Sequence, residues 1–225
     1  FGRSFMIIGK AQYEEYISNF TDKKVFFSIN EGENYIKNTN ASSVVLSLKL
    51  CNLYGALNTL KQKKLNSYLK DFYSKSLPII SNKYGGKVDQ ISAQYIVAVF
   101  SDNFKFRNTT YSDILKDAYS CAKELMSTLK ANRYSVSISI AMGDLCFCQV
   151  SNTEVLFDEV VCMGEPMLLA NELINMSTVN EILIPENITH MVYADKELRA
   201  SWSIASQTCD FPGIGNCYIK KLIKL

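Results

Sequence analysis

The sequence has little net charge, a single histidine and no long apolar run, and these shortages exclude several classes of function. Its 225 residues carry 24 Lys and Arg against 22 Asp and Glu, giving a formal net charge of +2. Nucleic-acid-binding domains and binders of anionic membranes are usually far more basic. The longest apolar runs, such as residues 96–100, fall well short of the roughly 20 residues that a membrane span needs. We therefore expect a cytoplasmic domain without a nucleic-acid partner.

The sequence also lacks a signal-peptide pattern and a cysteine framework. Seven cysteines, an odd number, are scattered through apolar segments, which predicts reduced core thiols in a reducing compartment rather than disulfides. Cys146 and Cys148 would point to one face of a strand, but zinc sites usually need C-x2-C spacing and a second ligand pair. The chain begins at Phe1, so we expect a domain of a longer protein, which could itself be attached to a membrane.

Two further polar features favour structural roles over chemical ones. His190 stands between Thr189 and Met191 with no Ser or Cys nucleophile motif near it, which favours a packing or surface residue over a catalytic base. The basic run at residues 61–64 lies on the polar side of a helical pattern and is typical of a solvated helix face.

The length suits one compact domain, preceded by a stretch of mixed character. Residues 1–42 alternate short apolar and polar runs and end in a polar segment, 38–43, which predicts an exposed loop. We therefore assign 1–42 to an N-terminal extension or linker and 43–225 to the domain.

Hydrophobic spacing predicts the elements of that domain. Residues 44–50 form a buried strand, and helical spacing runs from Leu57 to Ile80 with a kink at Pro78. Strands follow at 87–91 and 95–100, joined by a tight turn, and Thr110 with Asp113 opens a second helix as a capping box.

The clearest strand signal is the period-two alternation at 135–142, which meets Gly143 and predicts a hairpin returning over 145–150. Further strands are expected at 155–163 and 181–185, a helix over 165–176, and two C-terminal strand segments around 213–215. The order strand, helix, strand, strand, helix, strand predicts an α+β fold with a ferredoxin-like βαββαβ core, helices on one face and additional C-terminal strands and helix.

Several motifs in this order resemble the class III adenylyl/guanylyl cyclase catalytic domain, over about residues 43–225. The segment 85–100, which opens Gly85-Gly86-Lys87-Val88 and closes Ala98-Val99-Phe100, is similar to the family's G-G-x-V-x-K-x-x-G-D-x-x-x-A-x-F motif. Residues 48–57 correspond to its F-x-D-I-x-G-F-T motif, and Met163-Gly164 and 213–215 match later positions. Residues 136–150 resemble most closely the second half-domain of soluble adenylyl cyclases.

The resemblance implies a metal site whose two ligands are changed here. Cyclases of this family hold two divalent metals with two carboxylates, which activate the 3′ hydroxyl and neutralise the pyrophosphate. The corresponding positions are Asn52 and Gln94, both uncharged. We therefore expect no two-metal site in this domain.

The residues of the complementary half-site are changed as well. The family's base-reading positions fall on Gln90 and Val161, and its ribose and transition-state positions fall on Leu168 and Glu172. Glu172 puts an anion where a cation would stabilise developing negative charge. The intact catalytic set is thus expected to be absent, and the choice between adenine and guanine stays open.

The turn Asn52-Leu53-Tyr54-Gly55 has two interpretations. The family cradles the triphosphate with backbone N–H groups at this helix start, whereas a glycine can simply permit a sharp strand-to-helix turn. Without the metal carboxylates, we favour the turn.

The resemblance therefore implies a degenerate half of a cyclase, paired antiparallel with a competent second cyclase domain in the same chain or in a partner protein. Mg²⁺ or Mn²⁺ with ATP or GTP would bind only in the competent site, and a small-molecule effector could occupy a vestigial pocket lined by Gln90, Gln94, Val161 and Leu168. Two alternatives remain. One is a divergent active cyclase that uses Asp89 or Glu172 for metal, and the other is a ferredoxin-like binding module unrelated to cyclases.

Overall fold

The computed structural model describes residues 39–101, 110–152, 157–195 and 202–224, and the extension predicted at 1–42 lies almost wholly outside them. The described elements are β1 (Thr39–Leu50), α1 (Leu53–Thr59), α2 (Gln62–Leu77), a π-helical segment (Pro78–Lys83), β2 (Lys87–Ile91), β3 (Tyr95–Ser101), α3 (Tyr111–Ala131), β4 (Val136–Asn152), β5 (Phe157–Met163), α4 (Glu165–Met176), β6 (Glu181–Pro185), a 3₁₀ turn (Glu186–Ile188), α5 (His190–Ala194), β7 (Trp202–Phe211) and β8 (Gly215–Lys224).

The strands form one mostly antiparallel sheet in the order β2-β3-β1-β4-β6-β8-β7, and β5 pairs with the far end of β4. The predicted βαββαβ core is therefore present, followed by the expected C-terminal strands. No helix among the described residues is long and apolar enough to cross a membrane.

The sheet is covered by helices on both faces, so the prediction of helices on one face is wrong. On β1, Leu46 and Leu48 pack with α2 and α3, while Val45 belongs to a second apolar cluster that includes Leu173 of α4. The alternation of β4 hid this arrangement, because serine at every second position is typical of a strand with one solvated face. In the structure these serines are buried under α4.

Small hydroxyl side chains are what allow α4 to lie close to the sheet. The Ser139 Oγ donates to the carbonyl of Ala170 at 2.7 Å, and the Ser177 Oγ donates to the Ser137 Oγ at 2.6 Å. These hydroxyls of Ser139 and Ser177 thus have partners, which avoids the cost of about 1–3 kcal/mol for an unsatisfied polar group. The helix that carries Leu168 and Glu172 is fixed to the sheet in this way.

Gly143 does not end a strand, and the predicted hairpin at this residue is wrong. β4 runs without a break through Gly143, which pairs with Ser43 of β1. A Cβ on Gly143 would lie 2.9 Å from the Cγ of Pro166 at the start of α4. The glycine therefore serves close packing between β4 and α4 rather than a turn.

The loop predicted at 38–43 is also wrong from Thr39 onward, because β1 begins there and pairs with Phe147 of β4. Other local predictions are confirmed. The capping box between Thr110 and Asp113 is formed, and β2 and β3 form a hairpin. At Pro78, the site of the predicted kink, α2 gives way to the π-helical segment, which begins at that residue.

Candidate functional site

The end of β1 and the turn between β2 and β3 meet at one corner of the sheet. The Leu50 N–H donates to the carbonyl of Gln94 at 2.8 Å, and Asn52 follows two residues later as the N-cap of α1. The backbone thus brings close together the two segments that carry Asn52 and Gln94, the positions of the predicted metal ligands.

The amide of Asn52 already has a hydrogen-bond partner at this corner. Its Oδ1 accepts from the Tyr68 hydroxyl of α2 at 3.0 Å. Burial raises the pKa of Tyr68, although the bond to Asn52 opposes this shift, so the phenol stays a protonated donor at neutral pH. A neutral oxygen engaged by a phenol is a weak ligand for a hard divalent cation.

The start of α1 combines one buried residue with two exposed ones. Leu53 is buried in the core, whereas Tyr54 and Gly55 are exposed. The described glycines with positive φ are found elsewhere, and a Cβ on Gly55 would meet nothing within 4 Å. The sharp-turn explanation for Gly55 is therefore wrong, since neither its backbone nor its surroundings require glycine.

A pocket of about 330 Å³ lies between the β2–β3 hairpin and α4. Its polar lining comes from Gln90, Ser92 and Tyr95 of the hairpin and from Asn171 and Asn175 of α4. Ile91, Val97 and Ile174 supply its apolar lining. No carboxylate and no cation is among the lining residues, so the pocket offers neutral donors and acceptors.

Two bonds fix the wall of this pocket that α4 forms. The Tyr95 hydroxyl donates to the Asn175 Oδ1 at 3.3 Å, and the Lys49 Nζ reaches the carbonyl of Ile174 at 3.4 Å. Lys49 thereby places a positive charge at the carboxyl end of α4, where the helix dipole favours it.

Of the four residues predicted to line a vestigial pocket, Gln90 lines this one, whereas Gln94, Val161 and Leu168 do not. Leu168 is 61% exposed, and Glu172, one turn further along α4, is also exposed. Sequence reasoning missed Asn171 and Asn175. The signal that could have identified them is their i, i+4 spacing, which places two amides on one side of the helix. Each amide directly follows a buried residue, Ala170 or Ile174.

A side-chain interaction links β2 to β5. Asp89, at an irregularity in β2 between Val88 and Gln90, interacts with the thiol of Cys162 on β5. Burial first, and then the charge of Asp89, raises the pKa of that thiol. This contact engages the carboxylate that the active-cyclase alternative would assign to metal.

Within the described ranges, no three His, Cys, Asp or Glu side chains cluster in a way that could hold a metal ion. Asp89 and Glu172 are not joined there by the further acidic ligands that such a site requires.

Comparison with known proteins identifies the fold. No protein-family model and no curated protein sequence matches the chain. Among solved structures, the adenylyl cyclase CyaB from P. aeruginosa is 14% identical with a TM-score of 0.70, and the alignment covers 84% of this chain and 97% of that one. The guanylyl cyclase Cya2 is 15% identical with a TM-score of 0.67, covering 82% and 93%.

The guanylate cyclase domain of RhGC from Catenaria anguillulae, determined in complex with GTP, is 12% identical with a TM-score of 0.66 and coverage of 83% and 98%. The chain therefore has the fold of class III adenylyl/guanylyl cyclase catalytic domains. The β5 strand and the β7–β8 hairpin are present, which disfavours the unrelated ferredoxin-like module, since that alternative was expected to lack them.

Proposed function

We propose that the chain is a nucleotidyl cyclase homology domain that has kept the cyclase fold, has lost its own catalytic charges, and supports cyclic-nucleotide synthesis by pairing with a competent second cyclase domain. The observation that carries this proposal is the corner formed by Asn52 and Gln94. The hydrogen bond from the Leu50 N–H to the carbonyl of Gln94 joins the two segments, and both side chains are neutral.

The lost charges are large enough to decide metal binding. One pair of unit charges about 4 Å apart is worth about 4 kcal/mol at an effective dielectric constant near 20, and a divalent ion would lose about twice this attraction at each of the two positions. Water therefore outcompetes the corner for Mg²⁺ or Mn²⁺.

The complementary half-site supports the same proposal. Leu168 has no group that can orient a ribose, and the carboxylate of Glu172 repels the negative charge that develops on the transferred phosphorus. Both side chains are on the exposed side of α4, where a paired domain would contact them. Neither half of a composite site is then supplied by this chain.

Exposed apolar side chains support a paired domain as the partner. Ile91 of β2 is 53%, Met163 of β5 51% and Leu168 of α4 61% exposed, and Ile91 also lines the pocket. Exposed large apolar side chains are typical of interaction surfaces. We assign this surface to an antiparallel contact with a second cyclase domain.

The pocket beside this surface is suited to a small regulatory ligand. Its amide and hydroxyl lining matches an uncharged polar molecule better than a triphosphate, which needs cationic or backbone N–H partners. An effector bound there would contact both α4 and the β2–β3 hairpin, and therefore the surface assigned to pairing.

Turnover measurements test the proposal. The purified 225-residue chain, incubated with ATP or GTP and Mn²⁺, is expected to form no cAMP or cGMP. Detectable product from pure material would overturn the proposal and favour the divergent active cyclase.

Pairing is tested by isolating the tagged chain from its own cells and measuring cyclic-nucleotide synthesis in the isolated complex. Leu168→Lys is expected to lower the recovered activity. Val179→Lys, which changes a 45% exposed apolar residue beyond the other end of α4, is the matched control. Absence of recovered activity with the wild-type chain, or equal losses in the two variants, would contradict the pairing role.

A further inference from the structure

Two thiols lie side by side where β4 passes from β1 to β5. The Sγ atoms of Cys146 and Cys148 are 3.4 Å apart, and both residues are half-buried. Residues two apart in a strand point to the same face, which explains the contact. We propose that Cys146 and Cys148 form a redox-sensitive modification site, in which a reversible disulfide joins the two residues within one strand.

The expected strain of this bond makes it suited to regulation. Residues i and i+2 of an extended strand lie about 6.6 Å apart, at the upper end of the Cα separations of roughly 4.4–6.8 Å that disulfides span. Forming the bond therefore shortens β4 locally. Strained disulfides have more oxidising potentials and are reduced more readily than structural ones, so the bond is reversible.

The position of the pair gives the bond a structural consequence. Cys146 lies opposite Asn40 of β1 on one side and Met163 of β5 on the other. Cys148 pairs with Val161 of β5, and its neighbour Phe147 is paired with Thr39, the first described residue of β1. Shortening β4 between these two positions alters the point at which β5 joins the sheet. The disulfide does not depend on the proposed pairing role, but its effect on the pairing surface through Met163 does.

The chemistry balances with a peroxide as oxidant. The thiolate of one cysteine attacks a peroxide oxygen, releasing water and leaving a sulfenic acid. The second thiol then attacks the sulfenic sulfur, the S–S bond forms, and a second water leaves. Two thiols thus lose two electrons and two protons, and hydrogen peroxide is reduced to two waters.

The bond between the two thiols sets the pH dependence of this reaction. The hydrogen bond with Cys146 is the main cause that raises the pKa of Cys148. Val161 and Met163, the residues opposite the pair on β5, are uncharged. Because thiolate is the reactive form, disulfide formation should become faster as pH rises.

The site is tested with the purified chain carrying Cys209→Ser and Cys217→Ser, because those two cysteines face each other across β7 and β8 and could form a competing disulfide. The protein is treated with one equivalent of hydrogen peroxide, alkylated, reduced, alkylated with a second reagent and mapped by mass spectrometry. The second label is expected on Cys146 and Cys148 together. The proposal would be overturned if the pair stays reduced, or if the second label appears on Cys162 together with only one of the two residues.

The effect on β5 is tested by hydrogen exchange before and after oxidation. Amides of residues 157–163 are expected to exchange at least several-fold faster in the oxidised protein. Adding Cys148→Ser to the same background should abolish this difference, while the reduced variant keeps the wild-type exchange pattern. Faster exchange of β5 in peroxide-treated Cys148→Ser, or unchanged exchange in the oxidised parent, would overturn the assigned coupling to β5.

Discussion

Replacing Gly164 by alanine tests whether α4 is held as closely to the sheet as the structure indicates. Gly164 joins β5 to α4 and caps the helix, since its carbonyl accepts the N–H groups of Met167 at 3.1 Å and Leu168 at 3.3 Å. A Cβ at this position would lie 2.6 Å from the carbonyl oxygen of Asp144 and 3.0 Å from the Cδ2 of Leu145. Real Cβ atoms do not approach backbone oxygens so closely.

The magnitude follows from what must move. Asp144 is in the middle of β4, paired with Ser42 of β1, so its carbonyl cannot swing aside as a flexible side chain would. Overpacking of this kind costs about 1–3 kcal/mol, and we expect Gly164→Ala to lower the free energy of unfolding by that amount. Gly55→Ala is the matched control. Open space surrounds Gly55 inside α1, and alanine there should stabilise the protein by up to about 1 kcal/mol.

Equilibrium urea unfolding followed by circular dichroism measures both variants. Their midpoints should move in opposite directions at an unchanged m-value. A Gly164→Ala protein as stable as the wild type would refute the close contact between α4 and β4, and with it the position of Leu168 and Glu172.

Three hydrogen-bonded side chains give further predictions. Tyr134→Phe removes the 2.6 Å bond to Asp71 and should lower the free energy of unfolding by about 1 kcal/mol, whereas an unchanged melting curve would show that the bond contributes nothing. Hydrogen bonds from Lys83 and Tyr84 lower the pKa of Glu124, so its contribution to stability is present above the pKa of the unfolded carboxyl and is lost as pH falls. Glu124→Gln should therefore flatten the acid side of a plot of urea midpoint against pH. A steeper acid side would contradict this. Burial and Glu124 raise the pKa of Tyr84 to about 12. Stability should therefore fall as pH rises from the pKa of an unfolded tyrosine, about 10, towards 12. Tyr84→Phe should remove that part of the loss of stability at alkaline pH, which unfolding followed by fluorescence measures.

Local sequence signals predicted the elements well, because each signal acts within a few residues. The capping box at Thr110 and the proline after α2 set boundaries wherever the chain folds. The side of the sheet that α4 covers is set instead by packing across the molecule, and the serines of β4 concealed it. The hairpin predicted at Gly143 was wrong for the same reason. A glycine that is needed for packing against Pro166 cannot be told from the sequence apart from a glycine that is needed for a turn.

Part of the candidate site could likewise be predicted from the sequence, and part could not. Family resemblance located Asn52 and Gln94, and the structure brings their segments together. The pocket could not be predicted, because Asn171 and Asn175 meet the β2–β3 hairpin only after α4 docks. The contact of Asp89 with Cys162 depends likewise on β5 approaching β2, which no local pattern encodes.

The central claim is that the corner at Asn52 and Gln94 has lost the charge that a metal site needs. Restoring that charge with Asn52→Asp and Gln94→Asp tests it, with Asn58→Asp and Asn66→Asp on the exposed surfaces of α1 and α2 as a control of equal charge. Mn²⁺ binding is followed by the loss of the free-ion signal in electron paramagnetic resonance. We predict that the variant with Asn52→Asp and Gln94→Asp binds Mn²⁺ at least about tenfold more tightly than both the wild type and the control. This difference corresponds to about 1.4 kcal/mol. Tight binding by the wild-type chain, or no gain over the control variant, would contradict the account.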